Sequence, residues 1–189
     1  IAAECYRKGT EAMSREHWDY AIDMYGKCVE LVPDNFMYRQ VLRGSERRKY
    51  NDNKTGAKMA GVRLIKIRGK IKKEKLRKEK GWARIERLTE EGLTVNPWDA
   101  SLNFDLGTSC RELGYTEVAK YAFEEAVKND PGNKAYNRTL ALLLEERGEY
   151  SEAISLWERI HKLDPVDAEA RSKVTQLGAM TIIDRGGYE

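Results

Sequence analysis

The sequence predicts an all-α fold, a solenoid of antiparallel helix hairpins closed by a capping helix, on three observations. Pro97, Pro131 and Pro165 stand 34 residues apart, while Pro33 precedes Pro97 by 64, one such interval plus thirty. Leu106 and Leu140, Gly114 and Gly148, Ala119 and Ala153, and Phe123 and Trp157 repeat the interval of 34 in one register. Between the prolines the apolar residues recur three and four apart, as in Tyr136, Leu140, Leu143 and Leu144 and again in Ala153, Ile154, Trp157, Ile160 and Leu163. That is the period of a helix face, not of a strand.

The unit is a helix, a tight turn and a second helix running back. Gly148 separates residues 135–147 from 151–163 as a helix stop, and Pro165 ends the second helix because proline cannot continue the hydrogen-bond ladder. Two residues after each proline stands Asn35, Asp99, Asn133 or Asp167. A side-chain oxygen there caps the free amides of the next helix, worth roughly 1 kcal/mol each.

These residues resemble the tetratricopeptide repeat (TPR) family, whose unit is a 34-residue helical hairpin with small residues where the helices touch and a closing proline. The resemblance implies a right-handed solenoid within residues 1–180. Residues 2–35 are a copy through Gly9, Ala21, Tyr25, Cys28 and Pro33; residues 100–133 through Leu106, Gly107, Ala119, Phe123, Ala126 and Pro131; residues 134–167 through Leu140, Ala141, Ala153, Trp157, Ile160 and Pro165. Residues 36–99 are a degenerate copy split by a basic insertion at about 51–81, with Arg43, Ile85, Thr89 and Gly92 where Gly or Ala, Ala, an aromatic and Ala are expected. Cys5, Arg39, Asn103 and Asn137 replace the family's first-helix Trp. Residues 168–180 read as the capping helix that an open solenoid end needs, with Val174 and Leu177 on its apolar side. Residues 181–189 read as a tail or linker.

In this family the first helix of each hairpin lines the concave face and grips an extended peptide or a helix. The resemblance therefore implies a noncatalytic protein-interaction scaffold, with Tyr6, Asn103, Phe104, Thr108, Arg111, Asn137, Arg138 and Leu142 on the binding face. Asn103 and Asn137 recur 34 apart; each either meets a ligand backbone or bonds within the repeat array.

The charge is unevenly placed. The chain of 189 residues is 41% hydrophobic and 34% charged with a net charge of +3. From Asn51 to Gly81, however, twelve Lys and Arg face three acidic residues, so this stretch carries +9 and the remainder −6. Three readings compete for it: a solvated, partly helical insertion, a polyanion contact, or a protein contact. As a nucleic-acid site it offers Lys66, Arg68, Lys70, Lys72, Lys73, Lys75, Arg77, Lys78 and Lys80. Phosphate attraction is then supplied, but no aromatic is interleaved for base stacking before Trp82. A nucleic-acid-associated adaptor using residues 54–80 is the alternative function. On a helical wheel Val62, Ile65 and Leu76 fall opposite Leu64, Ile67 and Ile71. Two opposed apolar stripes suit a segment wedged between packing surfaces, or a short extended piece from Val62 to Ile67 followed by a charged helix, rather than an interfacial helix.

Other chemistry is sparse. His17 and His161 are too few for a metal cluster, and no phosphate loop, nucleophile elbow or carboxylate pair is present, so no catalysis, metal or other cofactor is expected. Cys5, Cys28 and Cys110 are an odd number without metal spacing, which favours a reducing, cytoplasmic compartment and small buried side chains. No apolar run is long enough to span a membrane. The chain opens on Ile1 and is read as a piece of something longer, in which exposed end repeats give a third reading, self-association.

Overall fold

The structure, a computed structural model, describes the backbone of residues 1–186 and the side chains of residues 1–181. Among the described residues there are ten helices and no strand: α1 (Ala2–Ser14), α2 (Trp18–Leu31), α3 (Phe36–Lys49), α4 (Ala60–Lys75), α5 (Trp82–Val95), α6 (Ala100–Glu112), α7 (Thr116–Asn129), α8 (Lys134–Glu146), α9 (Tyr150–Leu163) and α10 (Ala168–Gly186). The all-α helical-repeat solenoid is borne out. The bounds of α5, α7 and α9 are displaced by 34 residues each time, as are those of α6 and α8. Two compact units divide the chain, Ile1–Glu125 and Ala126 onward.

Local chemistry places these helices as expected. Asn35 accepts a hydrogen bond from the Tyr38 amide at 3.1 Å, Asp99 from Leu102 at 2.9 Å, Asn133 from Tyr136 at 3.2 Å and Asp167 from Ala170 at 2.9 Å. Gly114 and Gly148 close α6 and α8 at φ of 80° and 75°, a left-handed conformation that side chains resist. The close approach of paired helices is equally visible. A Cβ on Gly9 would stand 2.6 Å from the Tyr25 ring, and one on Gly107 the same distance from Phe123.

In the first unit α1, α2 and α3 enclose a core of Ala12, Ala21, Ile22, Tyr25, Val29 and Leu42. The expected repeat over residues 36–99 is arranged differently. Helix α5 takes α4, not α3, as its close partner. Arg84 at the start of α5 meets Glu74 at the end of α4 at 3.3 Å, so these two run antiparallel as a hairpin must. By contrast α3 runs parallel to α5: Arg39 pairs with Glu86 and Glu90, Arg43 with Glu90, and the Tyr50 hydroxyl donates to the Thr94 carbonyl. The basic stretch is therefore largely a structural helix, and Val62 to Ile67 is helical rather than extended. Leu64, Ile67 and Ile71 are buried, and Arg68 and Lys75 pair with Asp99 and Asp105 of the adjoining α6.

The physical reason lies in the residues that depart from the repeat pattern. Arg43 occupies a place where a small residue would let a hairpin close, and a guanidinium there needs carboxylates, not a helix backbone. Arg39 and Arg43 are fully buried and meet Glu86 and Glu90 from α5, and the equally buried Glu46 pairs with Arg43, while Arg47 pairs with Glu125 of α7 and Phe36 lies against the Tyr121 ring. Burial pushes the Glu46 carboxyl up to about 7, against the pull of Arg43, whereas Arg43 and Arg39 hold Glu90 below the usual carboxylate range despite its burial.

In the second unit α9 packs against both α8 and α10, around Ala153, Trp157 and Ile160. Helix α10 continues past residue 180, where a tail was expected, to Gly186. The last three residues of that expected tail lie outside the described residues.

Candidate peptide-binding surface

Helix α6 has two unlike sides. Leu102, Leu106 and Cys110 are fully buried, whereas Ser101 and Arg111 are exposed and Phe104 and Thr108 half-buried. Positions 101, 104, 108 and 111 share one helix face. The Phe104 ring lies tilted against Phe123, centroids 5.3 Å apart, and the Thr108 hydroxyl donates to the Phe104 carbonyl at 3.0 Å. An apolar ring thus stands between a small hydroxyl and a guanidinium on the open side of the helix.

The other sequence-derived residues divide by what already holds them. Asn103 is fully buried, its amide donating to the carbonyls of Pro97 at 3.3 Å and Asp99 at 3.0 Å. Asn137 repeats this with Pro131 at 3.0 Å and Asn133 at 2.8 Å, and its oxygen accepts from Arg159 at 3.2 Å. Both serve the turn that precedes their own helix, so neither presents its amide to a ligand. The recurrence of Asn at 34 residues reflects the repeated turn.

Tyr6 is half-buried between the rings of Tyr25 and Tyr38, each at 5.7 Å. Its ring is part of the first core. In the second unit Arg138 pairs with Asp167 at 2.7 Å and Glu169 at 2.8 Å and lies over the Trp157 ring. Its neighbour Glu145 accepts from the Trp157 indole and from Lys173, both at 2.6 Å. Residues at the start of α10 thus engage Arg138 and Glu145 of α8, and Leu142, between them in sequence, is half-buried.

The basic residues divide likewise. Arg68, Lys75 and Arg77 are tied to Asp99, Asp105 and Glu74, and Lys80 lies over the Trp82 ring. Lys66, Lys70, Lys72, Lys73 and Lys78 are exposed. Sequence reasoning missed α4 as a neighbour of α6. The signal was present, since subtracting 34 from the bounds of α6 lands on 66–78, across most of α4.

Chemical reactivity is muted among the described residues. Burial pushes the Cys110 thiol up to about 12 and also raises Cys28, so both stay protonated and unreactive near neutrality. All three cysteines are free, and among the described residues no group of three or more His, Cys, Asp or Glu converges as a metal site and no helix is long and apolar enough to cross a membrane.

No family model and no curated protein matches the chain. Solved structures do. The second TPR domain of the human RPAP3 protein, in complex with the HSP70 peptide SGPTIEEVD, is similar at 15% identity and a TM-score of 0.53, over 63% of this chain and 98% of that one. The first TPR of Spaghetti (RPAP3), bound to the HSP90 peptide SRMEEVD, is similar at 16% identity and a TM-score of 0.51, over 69% and 98%. The Yersinia enterocolitica type III secretion translocator chaperone SycD is similar at 15% identity and a TM-score of 0.51, over 65% and 83%. With the 34-residue register, the small residues under Tyr25 and Phe123 and the capped hairpins, these likenesses make the chain a tetratricopeptide-repeat fold.

Proposed function

We propose that the chain is a noncatalytic scaffold that binds an extended peptide or a helix of a partner protein, with the open side of α6 as the principal contact in the first unit. The observation that carries the reading is the row Ser101, Phe104, Thr108 and Arg111, which stays at the surface while the opposite row of the same helix is fully buried. A half-buried aromatic and an exposed guanidinium on one helix face are the residue types enriched in binding hot spots. The TPR domains of RPAP3 bound to chaperone peptides support the same use of the fold. In the second unit Leu142 is the remaining apolar contact, because Arg138 is engaged by α10.

Selection from a displayed peptide library on the intact chain tests this. Selected peptides are expected to bind at least tenfold more weakly, about 1.4 kcal/mol, to Phe104→Ala or Arg111→Glu, with Lys78→Gln as a neutral control. Peptides that bind all variants equally would overturn the assignment to α6.

A further inference from the structure

The two opposed apolar stripes of α4 have different fates. Leu64, Ile67 and Ile71 are buried at 1%, 7% and 3% exposure against α5 and its surroundings, but Val62, Ile65 and Leu76 are 59%, 67% and 76% exposed. The segment is not wedged between two surfaces. Only one stripe is used; of the other, Val62 and Ile65 lie on the opposite, outward side of α4 and Leu76 follows at its C-cap.

The flanks of that outward side are cationic. Lys66, Lys70 and Lys73 lie along one side and Lys72 on the other; all are exposed, and among the described residues none of the four makes an ion pair. Lys70 and Lys73, with Arg77 and Arg84, also line a cleft around the buried Glu74, whose single carboxylate leaves them in net excess. Toward α6 the charges are already neutralised by Asp99 and Asp105.

We propose that the outward face of α4 docks on an anionic lipid surface, lying in the plane of the interface without crossing it. Three features favour this occupant. Aliphatic side chains on an exposed helix face can dip into the boundary between headgroups and acyl chains, while lysine stems on either side extend their amines to the headgroups. A nucleic acid would use the cations but gain nothing from Val62, Ile65 and Leu76, and this face carries no aromatic for base stacking. A second copy of the chain would bring like charge against like charge. The contact is separate from the peptide surface on α6, so either can fail alone.

Co-sedimentation of the intact chain with vesicles tests the proposal, using phosphatidylcholine alone and phosphatidylcholine mixed with phosphatidylserine, each at low and physiological salt. Binding is expected only to the mixed vesicles and to weaken with salt. Neutralising Lys66, Lys70 and Lys73 together to Gln lowers the partition coefficient roughly a hundredfold, at about fivefold for each cation near an anionic surface. Val62→Ser with Ile65→Ser and Leu76→Ser keeps every charge and is also expected to abolish binding. Circular dichroism checks folding, and Leu76→Asn alone, one residue beyond α4, repeats the charge-neutral test without touching the helix. Absence of binding to the mixed vesicles overturns the proposal. So does undiminished binding of both apolar variants, which would make the face a general polyanion contact; a titration with single-stranded RNA would then show equal affinity for wild type and variants.

Discussion

Arg43→Met removes one guanidinium from a site where two face three carboxylates. Arg43 is fully buried and meets Glu46 and, at 2.9 Å, Glu90, while Arg39 meets Glu90 at 2.8 Å and Glu86 at 2.6 Å. The variant leaves Arg39 as the one guanidinium of the pair facing these three carboxylates. Breaking a buried pair by removing one partner costs about 3–5 kcal/mol. At roughly 2–4 °C per kcal/mol for a chain of this size, the melting temperature falls by about 6–20 °C. Arg68→Met is the control: its side chain is 46% exposed beside Asp99, and a surface pair is worth about 0–1 kcal/mol. Thermal unfolding followed by circular dichroism reads the global effect. Hydrogen exchange over residues 36–49 and 82–95 reads whether α3 has loosened from α5. If Arg43→Met melts within a degree or two of Arg68→Met, the buried network does not hold α3 in place and the account of the rearranged repeat is wrong.

Three further outcomes follow from the same structure. Gly107→Ala would put a Cβ 2.6 Å from the buried Phe123 ring and should cost about 1–3 kcal/mol in a melt, whereas Gly44→Ala in α3 meets nothing within 4 Å and should gain about 0.5–1 kcal/mol. Ala153→Leu, at a fully buried position of α9, should lower the melting temperature well below that of Glu152→Leu, at an exposed one; equal melts would break the repeat register. The folded Glu46 carboxyl titrates at about 7 against a usual value of 4.5, so the native state binds the extra proton and stability should rise as the pH falls from about 8 toward 5. Glu46→Gln should flatten that slope in melts taken across the range, and an unchanged slope would remove Glu46 as its source.

Much of the fold was legible because a repeat states its rules several times. Gly107 beneath Phe123 and Gly9 beneath Tyr25 follow one steric rule, and Asn35, Asp99, Asn133 and Asp167 follow one capping rule. The site was less legible, because helical spacing says which side chains share a face but not what covers it. Phe104, Thr108 and Arg111 stayed at the surface of α6; Asn103 and Asn137 turned inward to serve their own turns, and Arg138 was taken up by Asp167 and Glu169.

Outside residues 36–99, the order of helices, the caps at Asp99, Asn133 and Asp167 and the periodic apolar faces were determined by the sequence alone, since each depends on contacts within one hairpin or its adjoining turn. Which helix pairs with α5 was decided only by the tertiary structure. Beyond the local Glu46 and the Pro33 carbonyl, Arg39 and Arg43 draw on Glu86 and Glu90, some fifty residues away, and no local rule counts charges across that distance. The two faces of α4 were equally apolar in sequence; packing against α5 buried one and left the other turned outward.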